Sequence, residues 1–183
     1  MQYILTRRIK KGGHKSAYFN TAMLSACYIT TLILAIYTLW HEKGIDIFCI
    51  IGIVMMEVFV FLRMISLHQL GEYFSYEVRI LKDHKLITTG IYGIVRHPLH
   101  LAFWGEVCGM GIISKNPFAI IPILILTAVI LLRDKIEDDK LERKFGREFL
   151  DYRKRIPGLN IIRGILQKLN IHHKDSPQSH REE

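Results

Sequence analysis

The feature that most constrains this chain is the stretch from Tyr18 to Trp40, 23 consecutive residues without a formal charge. A helix needs roughly 20 apolar residues to cross about 30 Å of hydrocarbon, so this block is predicted to span a membrane. A cleaved secretory signal is the less favoured reading, because the apolar core is long for one and no clear small-x-small site follows it. A second block, Ile47 to Leu67, is apolar apart from Glu57 and Arg63. Leu99 to Ile113 and Pro117 to Leu132 come next, separated only by Ser114, Lys115 and Asn116, and read as a tight helical hairpin. At 15 and 16 residues these two are short for spans, so each must recruit flanking residues or tilt little. The predicted fold class is an all-α integral membrane protein with four transmembrane helices, or five if the chain breaks near Glu57, and a cytoplasmic C-terminal helical segment.

Basic residues near span ends set the orientation. The first 17 residues carry Arg7, Arg8, Lys10, Lys11 and Lys15 with no acid, whereas the loop between the first two spans has Lys43 against Glu42 and Asp46. Both termini are therefore expected in the cytoplasm, with residues 68–98 and everything after Leu132 on that side. The net charge of +8 raises nucleic acid as a partner. The basic residues sit mainly beside spans, however, where attraction to anionic headgroups accounts for them, so membrane lipids are expected and nucleic acid is not. Cys27, Cys49 and Cys108 each lie inside an apolar block and read as small hydrophobes rather than a disulfide or metal framework.

The organisation expected is a basic cytoplasmic N-terminus over 1–17, a membrane-embedded domain over 18–157, an interfacial helix over 158–171 and a disordered tail over 172–183. Between the second and third spans, "LGEYFSYEVRILKDHKLITTG" mixes β-branched and polar residues, which predicts a re-entrant or interfacial stretch with one short strand or hairpin. After the fourth span, Ile136, Leu141, Phe145, Phe149 and Tyr152 recur at mostly helical spacing among dense charges until Pro157-Gly158. That pattern predicts an amphipathic cytoplasmic helix, with Gly146 as a point of breakage. "IIRGILQKLNI" has the composition of a helix lying at the headgroups.

Two polar clusters carry the chemistry. Pro98 suits the first turn of a helix, which puts Arg96 and His97 just outside a helix N-terminus. Free N–H groups, the positive end of the dipole and an arginine fork together make a receptor for a carboxylate or phosphate, whether of a ligand or of a lipid headgroup. Arg133 and Glu137 are four apart and share one helical face at the membrane boundary, either as a working pair or as a plain surface ion pair.

Three stretches in order carry a family likeness: "LGEYFS" at 70–75, "HKLITTGIYGIVRHP" at 84–98 and "RDKIEDDKLERKFGREFLDYRKRIP" at 133–157. They resemble the motifs of the isoprenylcysteine carboxyl methyltransferase family, membrane-embedded enzymes related to phospholipid N-methyltransferases. The later two follow H-x-L-x-x-x-G-x-Y-x-x-x-R-H-P and R-x-x-x-E-[ED]-x-x-L-x-x-x-F-G-x-E-[YF]-x-x-Y. The resemblance implies an S-adenosylmethionine-dependent methyltransferase with a non-Rossmann pocket, and the chain indeed has no G-x-G-x-x-G after a strand. It implies cofactor binding by His84, Leu86, Gly90, Tyr92, Arg96, His97, Pro98 and Glu137, and a place for Arg133, with Glu137, at the reacting group. Arg96, His97 and the helix end would take the cofactor's methionyl carboxylate, and Glu137 its amino group or ribose.

The acceptor implied is a lipophilic small molecule or lipidated substrate, most simply an isoprenylcysteine carboxylate, with a phospholipid amine or small thiol as alternatives. A sterol-type NADPH reductase is the rival enzyme class, and a non-enzymatic membrane scaffold the bland one. Two residues depart from a plain match. His100 stands where the family carries tyrosine, and Glu106 puts a carboxylate in the third span, where charge is costly and points to function or to an interhelical partner. Both are candidates to face the acceptor. Arg63 is six residues from Glu57, too far round a helix to pair with it, and reads as reaching the interface. His97 and His100, three apart, have the spacing of a metal pair, but the sequence offers no clear third ligand, so no metal is expected.

Overall fold

The computed structural model describes residues 24–41, 45–71 and 86–174, with side chains to residue 169. The helices are α1 (Leu24–His41), α2 (Ile47–Leu70), α3 (Pro98–Ser114), α4 (Ile120–Phe145), α5 (Arg147–Arg155) and α6 (Ile161–Lys174), with 3₁₀ turns at Gly90–Gly93 and Pro117–Ala119. Among the described residues there is no strand. The hairpin expected before Gly90, with Glu72 to Ser75 and His84, lies outside them, as do the N-terminal 17 residues and the tail beyond Lys174.

Among the described residues, three segments are long and apolar enough to cross a membrane: α1, α2 and Pro117–Phe145. Their outward faces are apolar, with Trp40, Phe61 and Leu124 well exposed, the surface that lipid rather than water covers. The α2 helix is unbroken from Ile47 to Leu70. Glu57 therefore causes no break, and the five-span alternative is not what forms.

The third block, α3, has 17 residues, a rise of about 26 Å, short of the hydrocarbon thickness. Its position explains how it manages. α3 is the central helix, with Ala102, Glu106, Val107 and Met110 fully buried, so protein rather than lipid surrounds most of it. Tyr28 of α1 stacks on Phe103 at 5.4 Å, Thr38 donates to the Ser114 carbonyl at 2.7 Å, and the Trp104 indole donates to Thr127 of α4 at 2.9 Å. Against α2 the approach is closer still. Gly105 and Gly109 form a small-x-x-x-small pair, the pattern that lets membrane helices approach backbone to backbone. A Cβ on Gly109 would lie 2.9 Å from the Gly52 carbonyl oxygen, and one on Gly105 would enter the Phe59 ring.

The hairpin turn forms as expected. Lys115 takes a left-handed conformation, and the Asn116 side chain caps Pro117–Ala119 through the Phe118 amide. Across this end of the molecule Lys115 pairs with Asp46 at 2.9 Å, and Asp46 caps α2 by accepting from the Cys49 amide at 3.0 Å. The cap and then Lys115 hold the Asp46 carboxyl down at about 2. Its contribution to stability is therefore complete above about pH 4 and is lost as pH falls toward 2. Acid titration of unfolding is expected to show that loss in the native protein and not in Asp46→Ala.

The charged segment after the fourth span is not a separate helix. α4 runs on without interruption to Phe145. Pro117–Phe145 is 29 residues, about 43 Å of helix, so its last turns extend past a 30 Å core. Gly146, at φ 54°, ends it, and α5 turns back toward the start of α3. α6 leaves Ile162, Ile165, Leu166 and Leu169 exposed, an apolar stripe at i, i+3, i+4 and i+7.

Candidate active site

Residues 86–97 form the approach to α3, and the C-terminal segment holds this loop in place. Gly90 begins it in a left-handed conformation, φ 62°, over the Gln69 side chain, whose Oε1 accepts from the Ile91 amide at 3.0 Å. The Arg96 and His97 amides donate to the carbonyls of Pro157 and Gly158 at 2.9 and 3.0 Å. Tyr152 donates its hydroxyl to the Tyr92 carbonyl at 2.6 Å. Gly164 of α6 lies directly on the Ile94 carbonyl, where any side chain would collide with backbone. The loop is thus pinned by α2, α5, residues 157–158 and α6.

At its centre sits Asp138. Its carboxylate accepts from Arg96 Nη2 at 2.9 Å and from His97 Nε2 at 3.0 Å, with Arg153 Nε at 3.7 Å. The rest of the Arg96 fork is committed too: Nη1 donates to the Arg153 carbonyl at 3.0 Å and to the Ile156 carbonyl at 2.8 Å. Nε is buried without a hydrogen bond. Arg96 therefore spends its donors on holding the C-terminal segment to the loop. The network also contains Asp134, whose Oδ1 accepts from His100 Nδ1 at 2.5 Å and lies 3.7 Å from His97 Nδ1. Glu137 Oε2 is 3.9 Å from the same nitrogen. Burial alone would discharge His97, but the Asp138 hydrogen bond, with Asp134 and Glu137 close by, outweighs it and raises its affinity for a proton. Burial pushes the Tyr92 and Tyr152 hydroxyls well above their ordinary range, so both remain neutral.

The structure thus brings together Tyr92, Arg96, His97, Pro98, His100, Arg133 and Glu137 where the start of α3 meets the end of α4, whereas Gly90 packs on Gln69 at the end of α2. Leu86 is half-buried where the described part of the loop begins, and His84 lies outside the described residues. Pro98 occupies the first turn of α3, and the His97 side chain does not cap it. Arg133 is buried with Asp134 and Glu137 as its acidic neighbours. Glu106 is elsewhere. It is completely buried between α3 and α2 and pairs with Arg63 Nε at 3.2 Å, so Arg63 is spent on an interhelical partner rather than on reaching the interface.

Two central residues, Asp134 and Asp138, went unremarked in the sequence. Among so many charges they read as a solvated face. The available signals were their four-residue spacing and, for Asp138, its place at the acidic position after Glu137 in the motif.

Beside this network opens a cavity of about 520 Å³, lined among others by Arg96, His97, Asp134, Gly158, Leu159 and Arg163. That volume lies within the usual range for small-molecule sites. Its walls combine both signs of charge with the apolar side chains of Leu131, Ile156 and Leu159.

The model of the isoprenylcysteine carboxyl methyltransferase family matches residues 50–143. Among curated proteins, the chain is similar to protein-S-isoprenylcysteine O-methyltransferase of Rattus norvegicus, 31% identical over 132 residues that make up 69% of this chain and 46% of the relative. The Saccharomyces cerevisiae protein of the same name is 29% identical over 110 residues, 58% of this chain and 46% of the relative. Protein-S-isoprenylcysteine O-methyltransferase B of Arabidopsis thaliana is 28% identical over 109 residues, 58% of this chain and 55% of the relative. The chain spans about half the length of the curated relatives it matches.

Proposed function

The chain belongs to the isoprenylcysteine carboxyl methyltransferase family, and from that premise we propose that it methylates a carboxylate on a hydrophobic, membrane-partitioned acceptor such as an isoprenylcysteine. The observation that carries the reading is the cavity where the polar end of α4 meets the start of α3, open beside the buried Arg96–Asp138–His97 network. A water-soluble donor and a lipid-borne acceptor can meet only at such a boundary.

S-adenosylmethionine is the donor proposed, on the family premise, beside a cavity whose size suits a small molecule. When bound, it supplies an electrophilic methyl group on a sulfonium centre. His97, the uncapped start of α3 at Pro98 and Glu137 are the groups proposed to hold it. Leu86, Gly90, Tyr92 and Arg96 shape the loop that they stand on, and His84 belongs to the same motif. Arg133 is proposed to orient the acceptor carboxylate. A carboxylate needs no general base to attack, so the residues' task is alignment and exclusion of water. His100 and Glu106 are proposed on the acceptor side, Glu106 through Arg63, whose side chain is 37% exposed. The basic N-terminal segment supports a cytoplasmic site with both termini on that side, and the apolar stripe of α6 supports its lying on the membrane surface.

The test uses protein purified in mild detergent, methyl-labelled S-adenosylmethionine and a prenylcysteine analogue. Label released as methanol by base is the expected result and marks an ester. A base-stable label would place the acceptor among amines or thiols, and the absence of both transfer and donor binding would overturn the reading. Within the site, Glu137→Ala is expected to weaken donor binding about 10-fold or more by calorimetry, the loss of one charge-assisted hydrogen bond. Arg133→Ala is expected to keep donor affinity and to lower turnover on the order of 10²-fold.

A further inference from the structure

We propose that His97, His100 and Asp134 form a binding site for one divalent transition-metal ion of the zinc type. The inference is argued from these side chains alone, and its test reads metal binding rather than methyl transfer. One donor atom from each of the three lies within 4.8 Å of the other two. The third ligand that the sequence could not supply is thus Asp134, brought from α4 to the first turn of α3.

The surrounding contacts prepare the site. An ionised carboxylate can only accept, so His97 Nε2 carries the hydrogen in its bond to Asp138. That leaves Nδ1 on the side of Asp134 as the nitrogen available to an ion. A histidine whose far nitrogen donates to a carboxylate is the usual arrangement around a metal ligand, because it fixes the tautomer and raises the basicity of the near nitrogen. Here Asp138 is itself held by Arg96 at 2.9 Å, so the outer support is complete. At His100 the ion would displace the hydrogen held between Nδ1 and Asp134 Oδ1, and these two atoms, 2.5 Å apart, would separate to about 3.4 Å to share it.

The His97 Nδ1 to Asp134 Oδ1 separation of 3.7 Å is near the edge of a tetrahedron with ligand bonds of roughly 2.1 Å, about 3.4 Å. Glu137 Oε2, 3.9 Å from His97 Nδ1 and on a partly exposed side chain, or a water can complete the coordination. Two imidazoles with carboxylate oxygen favour zinc, cobalt, nickel or copper over magnesium or calcium. The second imidazole is His100, the residue that departs from the tyrosine of the family pattern. The family resemblance therefore does not imply this site.

The experiment uses the full chain, without an added histidine tag, purified in mild detergent, stripped with a chelator and titrated with Co²⁺. One equivalent is expected to bind with visible ligand-field absorption, to be displaced by Zn²⁺ and to release protons. Zn²⁺ is also expected to raise the unfolding midpoint, since it binds the folded state. His100→Tyr, which restores the family residue, should lower the Co²⁺ affinity about 100-fold or more and abolish the Zn²⁺-induced rise. Asp134→Asn should do the same and serves if His100→Tyr does not fold. Absence of stoichiometric Co²⁺ binding by the native protein would overturn the proposal. So would binding that persists undiminished in both variants, the result expected if His172, His173 and His180 of the C-terminal segment hold the ion.

Discussion

Asp138→Ala is expected to destabilise the protein by about 3–5 kcal/mol and to abolish donor binding. The magnitude follows from removing one member of a buried charged cluster, which leaves its partners desolvated and uncompensated. In this case there are two such partners. Arg96 would lose its carboxylate, and His97 would lose both its hydrogen bond and the group that fixes its tautomer. The damage should then spread, because the same guanidinium holds the Arg153 and Ile156 carbonyls. Asp138→Asn keeps the volume and one acceptor oxygen, so it is expected to fall between the native protein and the alanine variant. Thermal unfolding in detergent with calorimetric donor binding checks the order. An unfolding midpoint in Asp138→Ala equal to that of the native protein would mean that the cluster does not hold the loop.

Gly109→Val is expected to cost about 3 kcal/mol, the upper part of the range for overpacking. Its Cβ would meet Met56 Cγ at 2.7 Å, the Gly52 carbonyl oxygen at 2.9 Å and the Met56 amide nitrogen at 3.2 Å. Two of these atoms are backbone, so relief requires α2 and α3 to move apart. Gly111 provides the contrast. A Cβ there would meet the tip of Ile123 at 2.7 Å, with no other atom closer than 3.8 Å, and a side-chain tip can rotate away. Gly111→Ala should therefore be nearly neutral, and equal losses in the two variants would argue against a backbone-limited contact between α2 and α3.

The spans were legible in the sequence because apolarity over 15 to 23 residues is a local property that needs no knowledge of neighbours. The shortness of α3 was legible too, but its remedy was not, because central burial depends on α1, α2 and α4 together. The loop motif and the Arg133–Glu137 pair were visible as patterns. The partners of Arg96 were not, since Arg153, Ile156 and Asp138 lie between 42 and 60 residues away. A separation of 34 residues likewise hid Asp134 from His100. Periodicity did read the charged segment as helical, yet its fusion with α4 depends on the absence of a breaker before Gly146, which spacing in a charged run does not reveal.

The clamp on residues 90–97 has a consequence for the order in which the protein matures. A chain leaves the ribosome from its N-terminus, so α1 and α2 are available for membrane insertion before residues 157–164 have been made. The Arg96 and His97 amides wait for Pro157 and Gly158, and Ile94 waits for Gly164. Insertion and assembly of the site are therefore separate events, and a nascent chain already lodged in the bilayer has no finished pocket until its late-synthesised segment folds back onto the loop.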